Sequence, residues 1–203
     1  DEWAALGNDG WGWQDVLPLF KKMEDHHAGA TEFHGAGGEW RVERQRLSGD
    51  VLDSFRQAAA QAGISSVDDF NQGDNEGCGY FEVNQRRGVR WTAAGAFLHP
   101  ITHRPNLEVV TGAYAQRIEF ENRRAMGVHF LRDGELRYAR AHAEVVLAAG
   151  AVGSPQLLQL SGVGAGRFLA SLGLPVVHDL PGVGSNLQDH LQLRLIYKLQ
   201  NAR

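Results

Sequence analysis

The small residues between positions 145 and 164 are the first place where this sequence could do chemistry. Residues 145–147 form a continuous apolar run that predicts a strand buried on both faces, with Gly150 at its buried end. Ala149 and Gly150 carry almost no side chain, so the backbone there could approach a flat or phosphorylated ligand closely. Close packing of a strand on a helix explains the same residues equally well, and the sequence contains no G-x-G-x-x-G.

A helix is predicted to follow this small-residue turn. Ser154 is a suitable N-cap, and Pro155 suits the first helical position, where its missing N–H removes no helical hydrogen bond. The start of a helix offers free backbone N–H groups and a positive dipole to an anion. The turn is therefore a candidate contact for a dinucleotide cofactor.

The other reactive side chains give weaker signals. His26 and His27 are adjacent, so they lack the i, i+4 spacing of a helical zinc site, and no cysteine partners them. We expect both on a solvated surface. His99 and His103 have the four-residue spacing, but a proline lies between them. No metal site is predicted, and Cys78, in a glycine-rich loop, is predicted to be an inert thiol.

Composition excludes several classes of protein. The net charge is −4 and the pI about 6.1, so we expect no nucleic-acid partner. No run of about 18 apolar residues predicts a membrane span. A single cysteine excludes an internal disulfide framework and fits a reducing compartment. We expect a cytoplasmic protein.

Periodicity predicts the main helices. Residues 13–23 and 51–62 place apolar side chains on one face at helical spacing, and Gly63 is well placed to end the second helix. A third helix is predicted from Thr92, a suitable N-cap, to position 100. The early part of the chain is therefore expected to be mainly helical, with one strand at 39–44.

The second half changes to alternating apolar and polar residues, which predict strands. An Asp133-Gly134 pair supplies a tight hairpin turn between two of them. The predicted strands are 107–111, 114–121, 125–131, 136–140 and, at the far end, 191–199. The central ones are expected to form an antiparallel meander.

The residues from 150 to 164 carry a long and specific resemblance. Gly150-Ala151, Ser154-Pro155, Leu157-Leu158 and the run 161–164 resemble the second signature of the glucose–methanol–choline (GMC) oxidoreductases, with every specified position filled. Further segments that resemble this family include His34-Gly35, Asp69-Phe70-Asn71, Arg90-Trp91-Thr92-Ala93, Arg104-Pro105-Asn106-Leu107 and Leu180-Pro181-Gly182-Val183-Gly184. The resemblance therefore extends over nearly the whole chain.

The resemblance implies an enzyme that binds FAD and transfers a hydride from an alcohol, choline or another primary alcohol, to the flavin. The electrons then pass to oxygen or to another acceptor, and such an acceptor could associate the protein with a membrane. It implies that Ala115, Ala149 and Gly150 contact the cofactor through backbone or lack of bulk. No residue corresponds to the family's catalytic histidine, so no catalytic residue is assigned. Asn186, Asp189 and His190 could hold a loop near the cofactor, although a structural turn is the simpler interpretation.

The implied fold class is α/β mixed with α+β. A partial Rossmann-like FAD-binding domain with an antiparallel meander is interleaved with part of a substrate-binding domain. We expect 1–104 to be mainly substrate-domain and FAD-covering segments, 105–185 part of the FAD-binding domain, and 186–203 the start of a return to the substrate domain. The chain does not begin with Met, and we expect both ends to be cuts within a longer protein.

An alternative to the enzyme interpretation stays open. The chain could be a catalytically inactive folded fragment or a binding module that lacks the cofactor, since it carries neither the glycine fingerprint nor the base. Homo-oligomer formation could cover an incomplete sheet edge. An NAD-dependent enzyme has little support, because no ribose-binding acid follows a glycine fingerprint.

Overall fold

The computed structural model describes residues 1–198 and divides them into two compact units, Asp1–Glu108 and Val109–Lys198. The assignment of sequence regions to a substrate domain and an FAD-binding domain remains a prediction. Within the described residues, no helix has the length and apolar character needed to cross a membrane.

The first unit contains three α-helices, two short helical segments of other types and two small sheets. The helices are α1 (Glu2–Ala5), α2 (Trp13–Met23) and α3 (Asp50–Gln61). The strands are β1 (Glu24–His26), β2 (Trp40–Arg44), β3 (Glu82–Val83), β4 (Gln85–Arg86) and β5 (Val89–Arg90). β1 and β2 pair in parallel, β3 joins β2 in antiparallel orientation, and β4 and β5 form a hairpin.

The predicted helices of this unit are confirmed, and so is its strand near position 40. The helix α2 begins at Trp13 and runs through Pro18, which lies in its second turn. Past the end of α3, Gly63 adopts a φ of +84°, the left-handed conformation that glycine favours after a helix. Thr92 accepts a hydrogen bond from the amide of Gly95 at 3.1 Å, as an N-cap does. The turns that follow are π-helical at Ala94–Leu98 and 3₁₀ at His99–Ile101.

The second unit is built on an antiparallel meander. Its strands are β6 (Tyr114–Glu121), β7 (Arg124–Arg132) and β8 (Glu135–Arg140). Asp133 and Gly134 both have positive φ, at 54° and 80°, as a two-residue type I′ hairpin turn requires. The meander and this turn are confirmed as predicted.

Two helices and two short strands follow the meander. It consists of α4 (Gly150–Leu160), β9 (Val163–Gly164), α5 (Gly166–Ser171) and β10 (His178–Asp179), with β9 and β10 paired in parallel. The buried apolar core of the unit contains Ile118, Leu157, Val163 and Leu169. It lies where β6, α4, β9 and α5 meet.

Three predicted strands are wrong. Residues 107–111, 145–147 and 191–198 lie in no strand, and position 199 lies outside the described residues. An alternating or apolar run becomes a strand only where a neighbour accepts its backbone hydrogen bonds. Among residues 1–198 no strand pairs with any of the three segments.

Candidate functional site

The Ala149–Gly150 turn lies at the head of α4, exposed on the surface of its unit. Gly150 has a φ of +82°, and no atom lies within 4 Å of the position that a side chain would occupy. The expected buried strand end is wrong, since Val146 is 76% exposed. The turn nevertheless presents bare backbone beside open space, which is what close approach of a flat ligand requires.

Ser154 and Pro155 do not start the helix, contrary to the prediction. The helix begins at Gly150, and Pro155 lies at its sixth position. The hydroxyl of Ser154 accepts a hydrogen bond from the amide of Ala149 at 3.1 Å, so it closes the turn from inside the helix. The left-handed conformation of Gly150 turns the chain into the helix earlier than the cap pattern indicated.

The third predicted cofactor contact, Ala115, lies on β6, where it pairs with Phe130. Its side chain is exposed, and the strand register shifts between Ala115 and Arg117. The structure therefore places two of the predicted residues on one turn and the third on a strand of the same unit.

The far end of α4 connects the turn to that strand. Ser161, 7% exposed, accepts a hydrogen bond from the amide of Ile118, 4% exposed, at 2.8 Å and donates to the carbonyl of Leu157. The side chain of Gln159 donates to the carbonyl of Val183 at 3.1 Å. Ser161 and Gln159 thus hold together β6, α4 and the loop at 180–184. The sequence analysis did not predict this role, although Ser161 is one of the specified motif positions.

A buried cluster of histidines and carboxylates occupies the first unit, where the sequence predicted a solvated surface. His26 is 5% exposed and His34 is 3% exposed. The Nδ1 atom of His34 lies 2.9 Å from Glu24, and its Nε2 lies 2.8 Å from Asp69. A carboxylate only accepts hydrogen bonds, so a carboxylate at each ring nitrogen stabilises the imidazolium form of His34, in which both nitrogens donate. Its ring stacks on that of His26 with centroids 4.0 Å apart.

Opposing effects set the pKa values of this cluster. Burial by itself lowers the pKa of His34, but the hydrogen bonds and charges of Glu24 and Asp69 outweigh it and raise the pKa above 6.5. Burial acts to raise the pKa of Asp69. Hydrogen bonds from a backbone amide and two side chains, His34 among them, outweigh it and lower that pKa below 3.8.

A third carboxylate, that of Glu82, bridges the adjacent histidines. The two oxygens of Glu82 lie 2.8 Å from His26 Nε2 and 2.6 Å from His27 Nε2. Burial acts to raise the pKa of Glu82, but these two hydrogen bonds overcome it and lower the pKa below 4.5. Glu82 on β3 therefore joins His26, the last residue of β1, and His27, which follows it, in one polar cluster.

Two sets of three side chains bring ligand atoms within 4.8 Å of one another: His26, His27 and Glu82, and His26, His34 and Asp69. In the first set, the amide of Ala28 donates to His26 Nδ1 at 3.3 Å, so a neutral His26 carries its proton on Nε2, facing Glu82. In the second, both ring nitrogens of His34 already meet carboxylates, and its ring stacks on that of His26 at 20° from parallel. These contacts favour hydrogen bonding over metal ligation.

The remaining candidates have local partners. The amide of Cys78 donates a hydrogen bond to the carbonyl of Ser65, and its carbonyl accepts one from the amide of Val67. The backbone therefore holds the loop of Cys78 in place. Asn186 has a φ of +56°, and Asp189 accepts a hydrogen bond from the amide of His190 at 2.8 Å. These contacts fit a structural turn, and the chemical inertness of the thiol remains a prediction.

The fold and the motif together define a class of protein. The family model described as GMC oxidoreductase matches residues 1–192, and the chain belongs to this family. It is 42% identical over 197 residues to an alcohol dehydrogenase [acceptor] of Pseudomonas putida, covering 96% of this chain and 36% of that protein. It is also 42% identical over 192 residues to an oxygen-dependent choline dehydrogenase of Sinorhizobium fredii, covering 95% and 35%.

A solved structure shows a similar fold. An FAD-dependent oxidoreductase from Chaetomium thermophilum superposes with a TM-score of 0.83 at 29% identity, over 90% of this chain and 34% of that one. The mixed α/β fold class is thereby confirmed. The chain spans about a third of the length of each of these relatives.

Proposed function

We propose that the chain is part of an FAD-dependent oxidoreductase that acts on the CH–OH group of an alcohol, choline or another primary alcohol. The observation that carries the proposal is the open turn at Ala149–Gly150. It combines a left-handed glycine, exposed backbone and the head of a helix whose remaining motif residues anchor it to β6. The names of the alcohol and choline dehydrogenases that the chain resembles agree with this activity.

In this proposal Ala149, Gly150 and Ala115 meet the cofactor. All three are exposed, and none has a bulky side chain that would keep a flat ring or a phosphate at a distance. The flavin, when bound, supplies the hydride acceptor. These residues bind and orient it, and no described residue is assigned as the base that takes the alcohol's proton. The partner is a small alcohol, and a cytoplasmic location and a homo-oligomer remain predictions.

The first experiment is a visible absorption spectrum after incubation with FAD and removal of free cofactor. We expect the bands of oxidised flavin to remain with the protein. Gly150→Val should remove them, because valine adds a side chain in the open space and strains a residue with φ of +82°. Gly173→Val is the matched control: Gly173 has a φ of +74° and open space around it, but it follows α5.

The outcomes separate the two candidate functions. Flavin retained by the parent chain and by Gly173→Val, but lost from Gly150→Val, supports the cofactor site at this turn. A folded parent chain that retains no flavin supports the alternative, a folded module without a cofactor. Retention by Gly150→Val equal to that of the control would refute the assignment of this turn.

A further inference from the structure

The Ala149–Gly150 turn is held by a side chain that lies inside the helix. Within residues 1–198, the hydroxyl of Ser154 is the side-chain group that accepts the amide of Ala149, at 3.1 Å. Ser154 is half-buried and lies on the second turn of α4, so its position is set by the helix rather than by the loop. The helix therefore supports the turn at its own start.

A glycine turn needs such support to keep one conformation. Glycine populates positive and negative φ about equally, so Gly150 by itself does not hold the chain at +82°. The hydrogen bond from Ala149 to Ser154 spans Gly150 and closes a loop around it. Without this hydrogen bond, Gly150 could adopt other φ values, and the turn would no longer be held in the conformation that exposes its backbone.

The same hydrogen bond determines how Ala149 can meet a ligand. Its N–H is already donated to Ser154, and an amide with one proton has no second hydrogen bond to offer a cofactor. Ala149 is thus left with its methyl group and its lack of bulk. Its exposed side chain can touch a flat ring by van der Waals contact while the amide stays occupied.

We infer that Ser154 is a positioning residue for the cofactor: it accepts the Ala149 amide, keeps Gly150 left-handed and so holds the turn open. This inference rests on the proposed function and deepens it. Ser154 itself does not contact the flavin. Its effect on binding passes through the backbone of the turn.

The test measures FAD affinity of Ser154→Ala, Ser154→Thr and a control, by quenching of flavin fluorescence. We expect Ser154→Ala to raise the Kd about three- to tenfold, the change that one neutral hydrogen bond is worth. Ser154→Thr keeps the hydroxyl, so its Kd and the visible circular dichroism of its bound flavin should match those of the parent chain. Ser171→Ala, which removes an exposed hydroxyl bonded to Phe168 at the end of α5, should change neither.

A further readout needs no cofactor. Hydrogen exchange at the Ala149 amide should become faster in Ser154→Ala and stay slow in Ser154→Thr, because only the first loses the acceptor. A parent chain that binds FAD, with Ser154→Ala binding equally well, would overturn the positioning role and leave the proposed function intact. A parent chain that binds no FAD would overturn both. Lower stability of Ser154→Ala with an unchanged Kd would make Ser154 purely structural.

Discussion

Replacing Ser161 by alanine tests how the motif holds the second unit together. The hydroxyl of Ser161 is the acceptor for the amide of Ile118 at 2.8 Å, and both residues are buried. Alanine keeps the helix and nearly the same volume but offers no acceptor. The amide of Ile118 would then be buried without a partner, because it points toward α4 and away from the solvent.

The expected magnitude follows from that single lost partner. A buried donor left unsatisfied costs about 1–3 kcal/mol. The hydroxyl's own donation to the carbonyl of Leu157 adds little, because the amide of Ser161 already bonds to that carbonyl. With a urea m-value of about 2 kcal/mol/M, a cost of about 2 kcal/mol shifts the unfolding midpoint down by about 1 M.

The assay is urea unfolding followed by far-UV circular dichroism, with hydrogen exchange at the Ile118 amide as a local readout. Ser171→Ala is the matched control, since its hydroxyl is exposed and bonds within α5; we expect a change within about 0.5 kcal/mol. If Ser161→Ala matched this control in midpoint and left exchange at Ile118 unchanged, the argument for α4 as the anchor of β6 would be refuted.

Two further predictions concern the first unit. Because the pKa of His34 is raised, its contribution to stability is complete below pH 6.5 and is lost as the pH rises through the folded-state pKa. Because the pKa values of Asp69 and Glu82 are lowered, the contributions of these carboxylates are complete above pH 4.5 and are lost as the pH falls through their folded-state pKa values. The urea midpoint should therefore decline at both ends, and His34→Gln should remove the alkaline decline; an unchanged alkaline profile in that variant would contradict the imidazolium assignment. Gly35→Ala should destabilise by about 1–3 kcal/mol, because its Cβ would overlap the backbone of α2. Gly182→Ala, at an exposed glycine with open space around it and no positive φ, should be near neutral in the same unfolding assay; equal effects of the two would refute the steric argument.

Much of the local structure could be predicted from the sequence. The helix α2, the end of α3 at Gly63, the meander and the Asp133-Gly134 turn all depend on the spacing of apolar residues and on turn chemistry within a few positions. The motif from 150 to 164 likewise identified the family, because order along the chain is what a signature records. These features need no knowledge of which segments meet.

The tertiary structure alone decided which segments found partners. An apolar run at 145–147 is the same whether or not a strand lies beside it, and here none does among the described residues. His26 and His27 look like solvated polar residues until Glu82, more than fifty positions away, meets both. Ser154 lies within α4 and Ser161 follows its last residue, yet one hydroxyl closes a turn and the other satisfies a buried amide of β6. Burial and hydrogen-bond partners arise from contacts distant in sequence, which local spacing does not encode.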